Sequence, residues 1–273
     1  MAGLINKLSI AASVAVGIGA IGTAPALAGS LTDPQVNGTH LTYDADDTNT
    51  FLTDNTAQNW QKALLGGGNI ELGGNTTHAG TADFQNATTL TGLLNGQEIT
   101  FSSLTEDDWN SDLDGNGQSL KWDWFDAAWN NLDSGLKAVS PTPNKAFAFF
   151  GWGMKGGFQR FSDPNIASVS QDENGYINFA LAGHLNHETG LKMSEVVKVE
   201  YGGKTDYFYA FGQGEDSGLV DRADGVSHSA LYSFGFQPEV SVPEPSTMLG
   251  LMAVGGLLAA SKKRKANKEN AEV

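Results

Sequence analysis

The chain has 273 residues, a formal net charge of −15 and no cysteine. The lack of cysteine excludes thiol catalysis and disulfide stabilisation, and the negative charge disfavours binding to nucleic acid or anionic lipid. The two ends, residues 1–28 and 242–273, are net positive, so the part between them is more acidic still. This middle part, residues 29–241, is long enough to form one domain with its own hydrophobic core.

The N-terminus has the features of a secretory signal peptide. Lys7 precedes an apolar run over residues 8–21, and the small residues Ala26 and Ala28 precede the expected cleavage point. We therefore expect a signal peptidase to remove residues 1–28 during export. A buried N-terminal helix is the alternative interpretation.

Helices and strands are mixed in the first half of the middle part. The patterns predict strands over residues 39–44, 69–74 and 97–104, and helices over residues 55–65 and 88–95. The helical segments have apolar residues three or four positions apart, whereas the last strand alternates apolar and polar side chains.

An aromatic-rich stretch follows over residues 105–134. It opens with Thr105 and three acidic residues, which is typical of a helix N-terminus. A second helix is predicted over residues 119–132, and five apolar side chains share one of its faces: Trp122, Phe125, Ala128, Trp129 and Leu132. Such a face usually packs in a core, and a platform for stacking sugars is the alternative.

The second half of the middle part has the pattern of β-strands. Strands are predicted over residues 145–152, 175–183, 196–201, 205–211 and 231–236. The glycines between the third and fourth of these predict a hairpin turn. Helices ahead of strands favour an α+β fold, with a mainly antiparallel sheet and with helices in the N-terminal half. A β-sandwich with helical insertions is the alternative.

One acidic loop matches the pattern of an EF-hand calcium site. Asp112, Asp114 and Asn116 take its first, third and fifth positions, Gly117 takes the sixth and Asp123 the twelfth. Alternate oxygens in a tight loop can surround calcium, and the glycine permits the turn. Asp123 is shorter than the usual glutamate, and two other positions depart from the pattern. We expect a structural calcium ion here, with a plain Asp/Asn/Gly turn as the alternative.

No complete motif of a nucleophilic or zinc enzyme is present. His184, His187 and Glu188 do not have the spacing of a metalloprotease helix, and neither a Gly-x-Ser-x-Gly elbow nor a phosphate loop occurs. Paired carboxylates for sugar hydrolysis remain an alternative because the acidic middle part offers many pairs. We expect the mature protein not to be an enzyme.

The C-terminus has three parts in a fixed order. Val242, Pro243, Glu244, Pro245 and Ser246 come first, an uncharged apolar run over residues 248–260 follows, and the last part is a basic cluster formed by Lys262, Lys263, Arg264 and Lys265. The apolar run makes roughly 20 Å of helix, against roughly 30 Å for the hydrocarbon core. Positive charge favours a cytoplasmic end. We expect a short transmembrane helix within residues 242–265, then a polar tail over residues 266–273. An ordinary C-terminal anchor is the alternative.

These three parts closely resemble the PEP-CTERM sorting signal of bacteria. The resemblance implies handling by an exosortase-type membrane enzyme near Pro243, Glu244 and Pro245, in a bacterium that makes exopolysaccharide. A second resemblance, carried by residues 158–166 and 181–184, is to uncharacterised PEP-CTERM proteins of cyanobacteria, and it implies no activity.

The expected function is therefore that of an exported, non-enzymatic, calcium-stabilised protein of the cell surface or extracellular matrix. It would be anchored transiently in the inner membrane before processing. Its expected partners are signal peptidase, an exosortase-type enzyme and exopolysaccharide, not nucleic acid. The first alternative is a carbohydrate-binding module that uses exposed aromatics such as Trp152 or Trp109, and the second is a polysaccharide hydrolase.

Overall fold

Two β-sheets form the framework of the domain. The computed structural model describes residues 29–73, 84–113, 115–131, 145–185, 192–212 and 214–238. These residues all belong to the first of two compact units, Met1–Pro238 and Glu239–Val273. The strands are β1 (Thr32–Asn37), β2 (His40–Ala45), β3 (Asn49–Thr53), β4 (Leu65–Leu72), β5 (Thr89–Leu94), β6 (Gln97–Ser102), β7 (Asn165–Gln171), β8 (Ile177–Gly183), β9 (Val197–Tyr201), β10 (Lys204–Phe208), β11 (Glu215–Asp216), β12 (Val220–Asp221) and β13 (Ala230–Phe236).

The strands pair almost entirely in antiparallel fashion. Within the described residues, one sheet has the order β1-β5-β6-β9-β10 and the other β11-β13-β8-β7-β4-β2-β3-β12. Only the short β12–β3 pair among them is parallel. The predicted hairpin is confirmed: β9 and β10 are joined by Gly202 and Gly203, whose φ angles of 60° and 78° suit a type I′ turn.

The main hydrophobic core lies between the two sheets. Phe101 of β6 and Phe208 of β10 both contact Phe179 of β8, with ring centroids 5.3 and 5.1 Å apart. These contacts join one sheet to the other, and every second residue of a strand points to the same face. The domain is therefore mostly β-sheet and sandwich-like, which confirms the mainly antiparallel prediction.

Short helices cover one part of the sandwich. They are α1 (Ala57–Leu64), α2 (Glu106–Asn110), α3 (Leu120–Asn131) and α4 (Lys145–Met154), with a 3-10 turn at Gln159–Phe161. Thr105 caps α2, as predicted, through reciprocal hydrogen bonds with Asp108. The expected grouping of helices ahead of strands is not confirmed, because six strands precede α2.

The helices bury a second group of apolar side chains, which we call the aromatic cluster. Its members are Leu104, Trp109, Leu120, Trp124, Phe125, Ala128, Phe158, Phe161, Met193 and Val196. The buried face of α3 differs in part from the predicted one. Trp124, which was not on the predicted face, is buried, whereas Trp122, which was, is half-buried.

Two predicted elements were wrong in type. Residues 88–95 were expected to be helical but contain β5, whose Leu90 and Leu94 are both buried. A spacing of four residues satisfies a helix face and also an alternating strand, and the adjacent antiparallel β6 decided the outcome. Residues 145–152 were expected to be a strand but lie in α4. There Lys145 pairs with Asp126 of α3, and Phe149 packs against Trp122.

Candidate functional site

Three carboxyl side chains approach one another inside the domain, and we call them the carboxyl cluster: Glu71, Asp163 and Glu195. Glu71 lies near the end of β4, Asp163 between the 3-10 turn and β7, and Glu195 two residues before β9. Asp163 and Glu195 are buried, with 7% and 9% of their surface exposed, and Glu71 is half-buried. The fold thus brings carboxyl groups from three distant segments within electrostatic range of one another.

Strand pairing positions the polar neighbours of Glu71. Glu71 lies directly opposite Asn165 of β7 in the antiparallel register, so both side chains emerge on the same face. Tyr43 of β2 donates a hydrogen bond from its hydroxyl to Glu71 Oε2 at 3.2 Å. Asn69, two residues earlier in β4, shares that face.

Burial raises the pKa of all three carboxyl groups. For Glu71 burial raises the pKa to about 7, although the Tyr43 hydrogen bond opposes the rise. For Glu195 burial raises the pKa to about 8, with added repulsion from Glu71. Burial also raises the pKa of Asp163 well above its usual range, and both glutamates add repulsion. These shifts all favour the protonated, uncharged form of the carboxyl groups.

The hydrogen-bond pattern of the carboxyl cluster agrees with protonation. Three buried side-chain oxygen atoms have no hydrogen-bond partner in the described part of the chain: Glu195 Oε2, Asn165 Oδ1 and Asn69 Oδ1. None of the three carboxyl groups forms a salt bridge with a described residue. Acceptors thus outnumber donors here, and protons on the carboxyl groups would supply the missing donors.

A buried histidine extends this polar region. The ring of Tyr43 packs edge-on against His228 at 4.6 Å, and His228 Nδ1 lies 2.7 Å from Thr50 Oγ1. Burial lowers the pKa of His228 to about 4; the positive charge of His184 lowers it further, and Asp224 opposes the shift. His228 is therefore neutral at physiological pH.

The structure gives no support for a zinc or other metal centre in the described residues. Nowhere in that part of the chain do three His, Asp or Glu side chains converge closely enough to hold an ion. His184 and His228 come within electrostatic range of each other, while His187 and Glu188 lie outside the described residues.

The predicted calcium loop is a closed turn in the described residues. Asp112 accepts hydrogen bonds from the amides of Gly115 and Gly117 at 2.8 and 2.9 Å, and Asn116 Oδ1 accepts from the Gln118 amide at 2.6 Å. Asp123 lies in the first turn of α3. Asp114 lies outside the described residues, so calcium binding stays a prediction.

The sugar-binding role suggested for Trp109 is contradicted. Trp109 is fully buried, its indole N–H donates to Ser162 Oγ at 2.8 Å, and its ring packs on Trp124 and Phe158. No tryptophan side chain in the described residues is fully exposed. The side chain of Trp152, the other named candidate, lies outside them.

The predicted terminal signals also lie outside the described residues. They comprise Ala26 and Ala28 at the cleavage site, Val242, Pro243, Glu244, Pro245 and Ser246 of the sorting motif, and the basic cluster Lys262, Lys263, Arg264 and Lys265. Within the described part, no helix has the length and apolar character needed to cross a membrane.

Comparison with known proteins places a sorting signal at the C-terminus. A protein-family model for the PEP-CTERM protein-sorting motif matches residues 241–265, which confirms the resemblance found in the sequence. The chain therefore carries a signal for export and for processing by an exosortase. Searches of curated proteins and of solved structures gave no match.

Proposed function

We propose that this protein is a non-enzymatic component of the cell surface or extracellular matrix, delivered there through its PEP-CTERM signal. The observation that carries the proposal is the sorting motif at residues 241–265. The domain suits such a role because it combines a well-packed sandwich with an acidic, cysteine-free composition. It needs no disulfide bond to remain folded outside the cytosol.

The proposed route has two cleavages. Signal peptidase removes residues 1–28 after export. The apolar run at residues 248–260 then anchors the chain in the inner membrane, with the basic cluster on the cytoplasmic side. An exosortase-type enzyme acts near Pro243, Glu244 and Pro245, and the mature domain passes to the surface or to the exopolysaccharide matrix.

Replacement of Pro243, Glu244 and Pro245 by alanine is expected to leave the protein in the membrane fraction. The apolar anchor remains, whereas the motif that the enzyme recognises is gone. Fractionation of producing cells followed by immunoblotting measures the distribution. Alanines at Asn267, Lys268 and Glu269, beyond the basic cluster, are the matched control. Equal release of the two variants would contradict the proposal.

We also propose that calcium stabilises the loop between α2 and α3. Asp112 organises that loop through two backbone hydrogen bonds, and extracellular calcium modules bind at about 0.1–1 mM. Calcium at about a hundred times its dissociation constant is expected to raise the melting temperature by about 5–10 °C. Calorimetry with calcium and with chelator measures this shift. Asp112→Asn should abolish it and Asp47→Asn should not; an unchanged wild-type melting temperature would disprove calcium binding.

Neither alternative function is favoured by the described residues. A carbohydrate-binding module could not use Trp109 to stack sugars, because that side chain is buried in the core. The hydrolase would need a substrate to reach its acid and base, yet Asp163 and Glu195 are less than a tenth exposed.

A further inference from the structure

The carboxyl cluster lies where the sheets and the helices are joined. Residues 161–164, which we call the junction segment, accept three backbone hydrogen bonds from other parts of the domain. Leu72 N–H donates to Pro164 O, Leu104 N–H to Ser162 O, and Val196 N–H to Phe161 O, each at 3.0 Å. Leu72 ends β4 of the eight-stranded sheet, whereas Leu104 and Val196 flank β6 and β9 of the five-stranded sheet. The junction segment therefore ties one sheet to the other.

Each member of the carboxyl cluster is adjacent in sequence to this junction. Asp163 belongs to the junction segment itself. Glu71 precedes Leu72, and Glu195 precedes Val196, so two of the three donated amides follow a cluster carboxyl directly. A movement of these carboxyl groups would therefore act on the hydrogen bonds that hold the junction closed.

Among the residues that the structure describes, no cation forms a salt bridge with the carboxyl cluster. The other titratable groups that influence Glu71 are Tyr43 of the adjacent strand β2 and Asp221 of the more distant β12, and Tyr232 of β13 lies within electrostatic range of Glu195. The other groups that face each carboxyl are its two fellow members of the cluster. All of these are neutral or negative, so ionisation would place like charges together in a poorly solvated space.

We propose that the junction is a proton-operated latch: protons on Glu71, Asp163 and Glu195 keep it closed, and their loss in alkaline surroundings frees the junction segment from both sheets. Glu195 Oε2 and Asn165 Oδ1 are buried acceptors without a hydrogen-bond partner among the described residues, and Asn165 lies opposite Glu71 in the sheet. Protons on the carboxyl groups would supply donors in this region. Opening would also loosen the aromatic cluster, because Ser162 of the junction segment holds the indole of Trp109.

Hydrogen exchange of the full-length protein, measured by mass spectrometry, tests the latch. After correction for intrinsic rates, peptides containing the amides of Leu72, Leu104 and Val196 should exchange at least about tenfold faster at about pH 9 than at about pH 6. Peptides from the β7–β8 pair should remain more strongly protected than these at about pH 9, because core strands exchange only when the whole domain unfolds. In Glu195→Gln, which keeps the shape and removes one ionisable group, the acceleration should be much smaller.

Three results would overturn the proposal: equal protection of the junction amides at both pH values, an equal acceleration in Glu195→Gln, or junction amides that stay as strongly protected at about pH 9 as the amides of the β7–β8 pair. If Glu195→Gln does not fold, Asp163→Asn serves the same purpose, because it removes a different ionisable group of the cluster. Exposed Glu98 provides the control variant Glu98→Gln, which should behave as the wild type.

Discussion

A rise in pH from about 7 to about 9 is expected to lower the free energy of unfolding by at least about 1–2 kcal/mol. The folded domain keeps a proton on Glu195 and partly on Glu71, whose pKa values are raised to about 8 and about 7, whereas the unfolded chain has already released these protons. Burial raises the pKa of Asp163 in the same direction. The folded state therefore binds more protons over this range, and stability falls as the pH rises. His228, whose pKa is about 4 in the folded domain and about 6.5 when unfolded, offsets this decrease by only about 0.2 kcal/mol, because the unfolded chain is already mostly neutral at that position at pH 7.

Urea denaturation at a series of pH values measures how the free energy of unfolding changes with pH. In Glu195→Gln the decrease between about pH 7 and pH 9 should be smaller by about 1–2 kcal/mol, because the pKa of Glu195, raised to about 8, lies between these pH values. Glu98→Gln, on the exposed part of β6, should leave the slope unchanged. A stability that is flat or rising between about pH 7 and pH 9 would show that the carboxyl cluster is already ionised in the folded state.

Trp109→Ala is expected to destabilise the domain by about 3–5 kcal/mol. The side chain is fully buried in the aromatic cluster, contacts Trp124 and Phe158, and donates a hydrogen bond to Ser162. Its removal leaves a large cavity next to the junction segment. The midpoint of urea denaturation should fall accordingly, without a change in slope.

Trp122→Ala is the matched control, because this tryptophan on α3 is only half-buried and packs mainly on Phe149. This substitution should lower the free energy of unfolding by about 1–2 kcal/mol. A similar decrease in the free energy of unfolding for the two substitutions would show that Trp109 contributes no more to the stability of the domain than the half-buried Trp122 does. If the Trp109→Ala protein were stable but bound polysaccharide more weakly, the result would instead support the carbohydrate-binding alternative.

Elements with a clear local signal could be predicted from the sequence. The alternation in β6, the diglycine turn between β9 and β10 and the Thr105 cap of α2 each depend on neighbouring residues. Whether β5 and α4 are helix or strand could not be predicted, because the spacing of their apolar residues suits both. Contacts with the rest of the domain decide between the two structures.

The carboxyl cluster could not be predicted because its members are far apart in sequence. A weak signal exists, since Glu71 stands between Ile70 and Leu72 and Glu195 precedes two valines. A single acid among apolar residues indicates burial but does not identify its neighbours. The sorting motif, by contrast, is linear, so residues 242–265 already contained all that its identification required.

The central claim is that export ends with removal of the C-terminal signal, and intact-mass spectrometry of the protein recovered from the cell surface or medium tests it most directly. We expect a chain that begins at Gly29 and ends near Pro243, Glu244 and Pro245, without the apolar run and the basic cluster. An exported chain whose mass extends to Val273 would contradict the account.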